Sequence, residues 1–244
     1  MIWVLFFILI IIASAVLAYR SMIDFQELPA TSLAYGLFLI RHKRNFNLST
    51  LEKLSSFALN SEAIISLERL FKGQESVLVL YGPSNIASSF PELELLELED
   101  YLDPKQGSSL DQQDPNKVNI NQALAWVIAP KNNPKKALKV EPQFLRLLEL
   151  DPAQRFFWQI VLFPQDSNFQ VTIRAMVTEK DPGKRVEIAK KVSTQITEDT
   201  GLIRQPKQES SGKIYQAIQK RTLVPKEVSQ FILSGEEILS LTGV

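Results

Sequence analysis

Ionisable side chains crowd one stretch of this chain, Tyr81 to Asp103, YGPSNIASSFPELELLELEDYLD. Glu92, Glu94, Glu97, Glu99, Asp100 and Asp103 fall in it, with no Lys or Arg among them. On a strand, residues two apart share a face, so Glu92 pairs with Glu94 and Glu97 with Glu99. Such pairs can work as acid and base or hold a hard divalent cation through carboxylate oxygens. The D-x-[DN]-x-[DN]-G spacing of a calcium loop is missing. The plainer reading is a solvated strand face whose charges guard an edge. On that reading Glu92, Glu94, Glu97, Glu99 and Asp100 form a surface for another protein rather than a catalytic centre.

Other chemistry is narrowed by composition. The chain has no cysteine, which excludes disulfides, thiolate metal sites and a thiol nucleophile. His42 is the only histidine; a multi-histidine metal site is excluded, and a histidine-based triad has to use it. SSGKIYQ carries Gly212-Lys213 but neither the upstream glycine nor the Ser/Thr of a phosphate loop, and YGPSN lacks the repeated glycines of a dinucleotide loop. No catalytic residue, cofactor site or metal ligand is expected.

Basic residues gather at Arg41, Lys43 and Arg44, at Lys131, Lys135, Lys136 and Lys139, and at Lys184, Arg185, Lys190 and Lys191. Nucleic-acid recognition on a sheet wants aromatics that face one way. Phe156, Phe157 and Trp158 are consecutive and cannot. With 27 Lys and Arg against 27 Asp and Glu over 244 residues, the chain has no overall pull toward polyanions. No specific nucleic acid is predicted.

The elements that position these residues read as follows. Ile2 to Tyr19, IWVLFFILIIIASAVLAY, is long and apolar enough for a membrane-spanning helix, with Trp3, Phe6, Phe7 and Tyr19 as its aromatic anchors. A cleaved signal peptide is the rival, but no basic residue precedes the run. Arg20 and the juxtamembrane group Arg41, Lys43 and Arg44 follow it, which predicts a single-pass protein with its bulk in the cytoplasm. Next come a strand (SLAYGLFLIRHKR), a helix capped by Ser49 with Leu51, Leu54 and Ala58 on one face, and two strands (SEAIISLERLF and SVLVLYG) joined by Lys72 to Glu75. A short helix after Pro83 and the acidic strand ELELLELEDYL close the unit. Ser66 and Glu68 fall on the polar side of their strand. The leucines of the acidic strand occupy both parities, so a bulge or a second buried face is expected there.

Asp103 to Lys117 is rich in Pro, Gly, Ser, Asp and Gln and reads as a linker. A second series follows: a strand (NINQALAWVIAP), a basic loop, a short helix (QFLRLLEL), two strands (RFFWQIVLFPQ and FQVTIRAMVTE) and a helix capped by Asp181. Val186, Ala189, Val192 and Ile196 form the apolar stripe of that helix, and GKIYQAI is a further strand candidate. A strand-like FILS and a helix at Gly235 to Leu241 end the chain. The expected fold is α+β: a transmembrane helix followed by two tandem ferredoxin-like βαββαβ units. The divisions are an anchor over 1–20, a first unit over 28–103, a linker over 104–117, a second unit over 118–220 and a tail over 221–244.

Three stretches carry a family resemblance: SVLVLYGPSNIASSFPELELLELEDYL, LLELDPAQRFFWQIVLFPQ and FILSGEEILSL. In that order they resemble uncharacterised membrane-anchored proteins associated with conjugation-type, type IV secretion-like ATPases. The resemblance spans Leu33 to Leu241 at the level of pattern. It implies a non-enzymatic scaffold or adaptor that recruits a separate motor ATPase, since no Walker motif follows FILSGEEILSL here. It carries over no catalytic residue. The expected partners are the bilayer, that ATPase and other membrane-assembly proteins. The alternatives are a membrane-held, metal-dependent enzyme or ligand-binding domain that uses the acidic strand, or an envelope component outside the cytoplasm.

Overall fold

The computed structural model describes residues 10–12, 14, 33–102, 122–130, 150–165, 168–204, 211–221 and 230–243. Among the described residues nine strands form one antiparallel sheet. They are β1 (Tyr35–Leu39), β2 (Ile65–Lys72), β3 (Glu75–Pro83), β4 (Leu96–Leu98), β5 (Ala123–Pro130), β6 (Arg155–Gln165), β7 (Asn168–Thr178), β8 (Leu202–Arg204) and β9 (Gln230–Leu233). The spatial order is β4-β1-β3-β2-β6-β7-β5-β8, and β9 pairs with the part of β7 that β5 does not reach. The helices that pack on this sheet among the described residues are α1 (Leu48–Ser61), α2 (Ile86–Ser89), α3 (Pro182–Thr200), α4 (Ser211–Lys220) and α5 (Gly235–Thr242).

This architecture corrects the expected fold. In place of two tandem ferredoxin-like units there is a single sheet, closed in the middle by the pairing of β2 with β6 from Ile65↔Leu162 to Lys72↔Arg155. Hydrophobic periodicity within a strand reports which faces are buried. It does not report which edges join. The membrane-spanning helix is corrected too. Among the described residues no helix is long and apolar enough to cross a membrane. Of the expected anchor only residues 10–12 and 14 are described, as helix. Trp3, Phe6, Phe7 and Tyr19 lie outside the described residues, as do the linker over 104–117 and the basic loop at Lys131 to Lys139. The single-pass placement goes with the span it rested on.

Alternation along the strands decides the two faces. Phe38, Ile65, Leu67, Phe71, Leu78, Leu80, Trp126, Ile128, Phe156, Trp158, Ile160, Ile173 and Ala175 are buried on one face in a single core. Residues from α1, α2, α3 and α5 complete that core. The opposite face carries a smaller core of Ala125, Val127, Phe157 and Met176, covered by Ile214, Tyr215 and Ile218 of α4 and by Leu102.

Local chemistry explains most helix boundaries. The Asp181 side chain accepts from Lys184 N at the start of α3, and Pro182 takes the first turn, where no amide is needed. Ser234 and Glu237 make a reciprocal capping box on α5. The cap of α1 is Asn47 rather than Ser49, with its side chain accepting from Thr50 N. GKIYQAI is helical, not a strand: Ile214 and Ile218 lie one turn apart on the buried side of α4. In α3 the buried positions are Ile188, Ala189, Val192, Ile196 and Thr200, whereas Val186 is exposed.

Candidate functional site

The acidic stretch is not one continuous strand. Pro91–Leu93 is a turn of 3-10 helix, Glu94 is left-handed at φ 45°, and only Leu96–Leu98 pairs, on one side, with β1. The two leucine parities are resolved by this break: Leu93 is buried beneath the helical face, whereas Leu96 and Leu98 lie on the opposite face. Leu96 is 50% exposed.

The five predicted surface residues therefore separate. Glu92 receives Lys53 Nζ at 3.4 Å, and a backbone hydrogen bond holds its carboxyl below the usual range. Glu94 lies 3.1 Å from His42 Nε2. Glu97 and Glu99 are exposed. Asp100 turns inward and grips Arg221, with Oδ2 2.6 Å from Nη1 and Oδ1 3.0 Å from Nη2. Among the described residues no group of three or more His, Asp or Glu could hold a metal ion.

Of the basic group, Arg41 and Arg44 are exposed. Lys43 Nζ donates to Ser76 O at 3.3 Å. Burial, then the nearby Arg69, pushes the Lys43 pKa down. Arg41 and Arg44 thus lie at the surface of this fold, and Lys43 contacts the β3 backbone.

Behind the acidic stretch lies a buried polar cluster that alternation alone assigns to solvent. Glu68 on β2 and Arg221 just after α4 are each 1% exposed as side chains, with Oε1 and Nε 2.8 Å apart. Glu68 Oε1 also accepts from Ser66 Oγ at 3.0 Å and Gln159 Nε2 at 2.9 Å, and Oε2 accepts from the Tyr101 hydroxyl. Gln159 Nε2 donates in addition to Ile218 O at 3.0 Å. Arg174, fully buried on β7, donates to Gln159 Oε1 at 3.0 Å and Ala217 O at 2.8 Å.

Register explains the meeting. Glu68 faces Gln159 across the β2–β6 seam, and Gln159 faces Arg174 across β6–β7. The same row runs outward through Val79 and Leu39 to Leu96 at the edge. Two carboxylates and two guanidiniums thus sit close together with no net charge, which is what a cluster removed from water requires. Burial opposes the charge of Arg221, but Glu68 and Asp100 overcome it and raise its pKa. Burial, then Glu68, holds the Tyr101 hydroxyl well above the ordinary tyrosine range. Each Glu68 oxygen is already engaged by donors, so this carboxylate is arranged to hold α4 and the β4 connection on the sheet rather than to move a proton. Sequence does offer one signal for this cluster: Gln159 interrupts the apolar run of β6, whereas Glu68 lies in an alternating strand and gives no such signal.

On the helical face the seam is used in the same way. Trp158 Nε1 donates to Leu241 O at 3.1 Å and Arg69 Nη1 to Thr242 O at 3.3 Å, so side chains of β6 and β2 satisfy the last carbonyls of α5. Fold and site together define an α+β protein built on one antiparallel sheet, with a helix terminus clasped to each face of its central seam. No protein-family model matches the chain, and no curated protein sequence matches it.

Proposed function

We propose that this protein is a non-enzymatic adaptor that recruits another polypeptide by strand pairing along the outer edge of β4. The observation that carries the reading is that β4 pairs only with β1 among the described residues while presenting a half-exposed Leu96 in a segment flanked by Glu94 and Glu97. Main-chain pairing needs only an open edge, and side chains then select the partner. Glu94, Glu97 and Glu99 favour a segment with basic residues and disfavour a second copy of β4, whose like charges would oppose them. Asp100, anchored on Arg221, fixes the end of this edge to the core. The resemblance noted above makes a separate motor ATPase the first partner to test.

A photocrosslinking residue at Leu96 tests the reading, with Val186, 59% exposed on α3, as the control position. The expected result in cells is an adduct with a second polypeptide from position 96 alone, lost when Glu97 and Glu99 are both changed to Lys. Adducts from both positions alike, or from neither, would overturn it.

A further inference from the structure

One register row runs through every strand from β4 to β8. It begins at Glu97, passes one buried apolar residue on each intervening strand, from Phe38 on β1 to Ile128 on β5, and ends at Arg204. Residues directly opposite each other share a face of a sheet, so Glu97 and Arg204 stand at the two ends of the helical face. Among the described residues β4 pairs only with β1, and β8 only with β5. Glu97 is exposed and Arg204 half-buried, and neither side chain has an ion-pair partner among the described residues. The Arg204 guanidinium lies over the Trp126 ring, 5.1 Å from its centroid. Burial pushes its pKa down, with no carboxylate to oppose the shift. A guanidinium that has shed part of its water without meeting a carboxylate gains from an arriving one.

We propose that the β8 edge of one copy of this chain docks on the β4 edge of the next, with Arg204 opposite Glu97. The inference rests on the open β4 edge of the adaptor reading and names a second copy as its occupant. The order from β4 to β8 holds an even number of strands, each antiparallel to its neighbour. A β8 laid beside the β4 of another copy therefore continues the antiparallel alternation, with both helical faces on the same side. In that register Ile203 lies opposite Leu98 and diagonal to the half-exposed Leu96, which gives the seam an apolar side on the α4 face. A β4 edge against another β4 edge opposes like charges, so the complementary fit is head to tail. Each added copy leaves one edge of each kind free, and growth continues past a dimer. Both strands are 3 residues long, so the seam is small and the association weak.

The test follows the purified full chain by sedimentation velocity over a concentration series. The average mass is expected to rise past the dimer with concentration and to fall when salt is raised. Glu97→Arg should weaken self-association by about tenfold, because one opposite-charge contact becomes a like-charge one. Arg204→Glu should do the same. An equimolar mixture of the two variants should assemble like the parent, since every β4–β8 contact between unlike copies again pairs opposite charges. That rescue separates a charge contact from a folding defect. A photocrosslinking residue at Leu96 of the purified chain should give adducts at Ile203 of a second copy. A chain that stays monomeric throughout, a closed dimer joined β4 to β4, or a mixture that assembles no better than either variant alone would overturn the proposal. If the purified chain is monomeric while position 96 still crosslinks a different polypeptide in cells, this inference falls and the adaptor reading stands.

Discussion

Arg221 holds two carboxylates with one guanidinium from a left-handed backbone position, φ 51°. Removing it leaves Glu68 charged and buried, and a broken buried pair of this kind costs about 3–5 kcal/mol. Arg221→Met is expected to lose that much in urea unfolding. Adding Glu68→Leu should recover part of the loss, because the unpaired charge is then gone. Tyr101 sets a pH limit on the same cluster. Its folded pKa lies above its unfolded value, which is about 10. The stability linked to this shift is therefore present in full below about pH 10 and is lost as pH rises from there toward the folded pKa. Tyr101→Phe should make the alkaline fall in stability shallower. An identical slope in the two proteins, measured by denaturation between about pH 8 and 11, would show that the phenol is not coupled to folding.

Elements differ in how plainly the sequence announces them. Asp181-Pro182 marks the start of α3 because a carboxylate cap and a proline both suit a first turn. The long apolar strands β6 and β7 are also legible, since a run buried on both faces needs few polar residues. The buried polar cluster was not: alternation sends Glu68 of β2 to solvent, and only the register across the seam brings it to Gln159, while the end of α4 brings Arg221 to it. Likewise Glu92 to Asp100 reads as one strand, yet the left-handed Glu94 breaks it. The end of the chain depends on local capping. Ser234→Ala removes the cap that accepts from Glu237 N and should cost about 1 kcal/mol. At the C-cap of α3, Gly201 has φ 73° with open space around it, so Gly201→Ala should cost about 1 kcal/mol from backbone strain alone. Thermal melts compared with the parent protein check both.

At the scale of the molecule, the β2–β6 seam decides whether the two halves of the chain are independent. Eight register pairs cross it. The last carbonyls of α4 and α5 are satisfied by side chains of the seam strands and of β7. Both helices come late in the sequence, yet α5 is tied to β2, and Arg221 after α4 is tied to Glu68 on β2. The halves are thus cross-linked through both faces of the sheet, and they should unfold together. Leu67 tests this: it is buried on the helical face, opposite Ile160. Leu67→Ala should cost about 2–5 kcal/mol. The loss should appear as one cooperative transition, with amide-exchange protection falling by the same amount in β3 of the first half and β7 of the second. If β7 kept its protection while β3 lost it, the seam would be a contact between separately stable units.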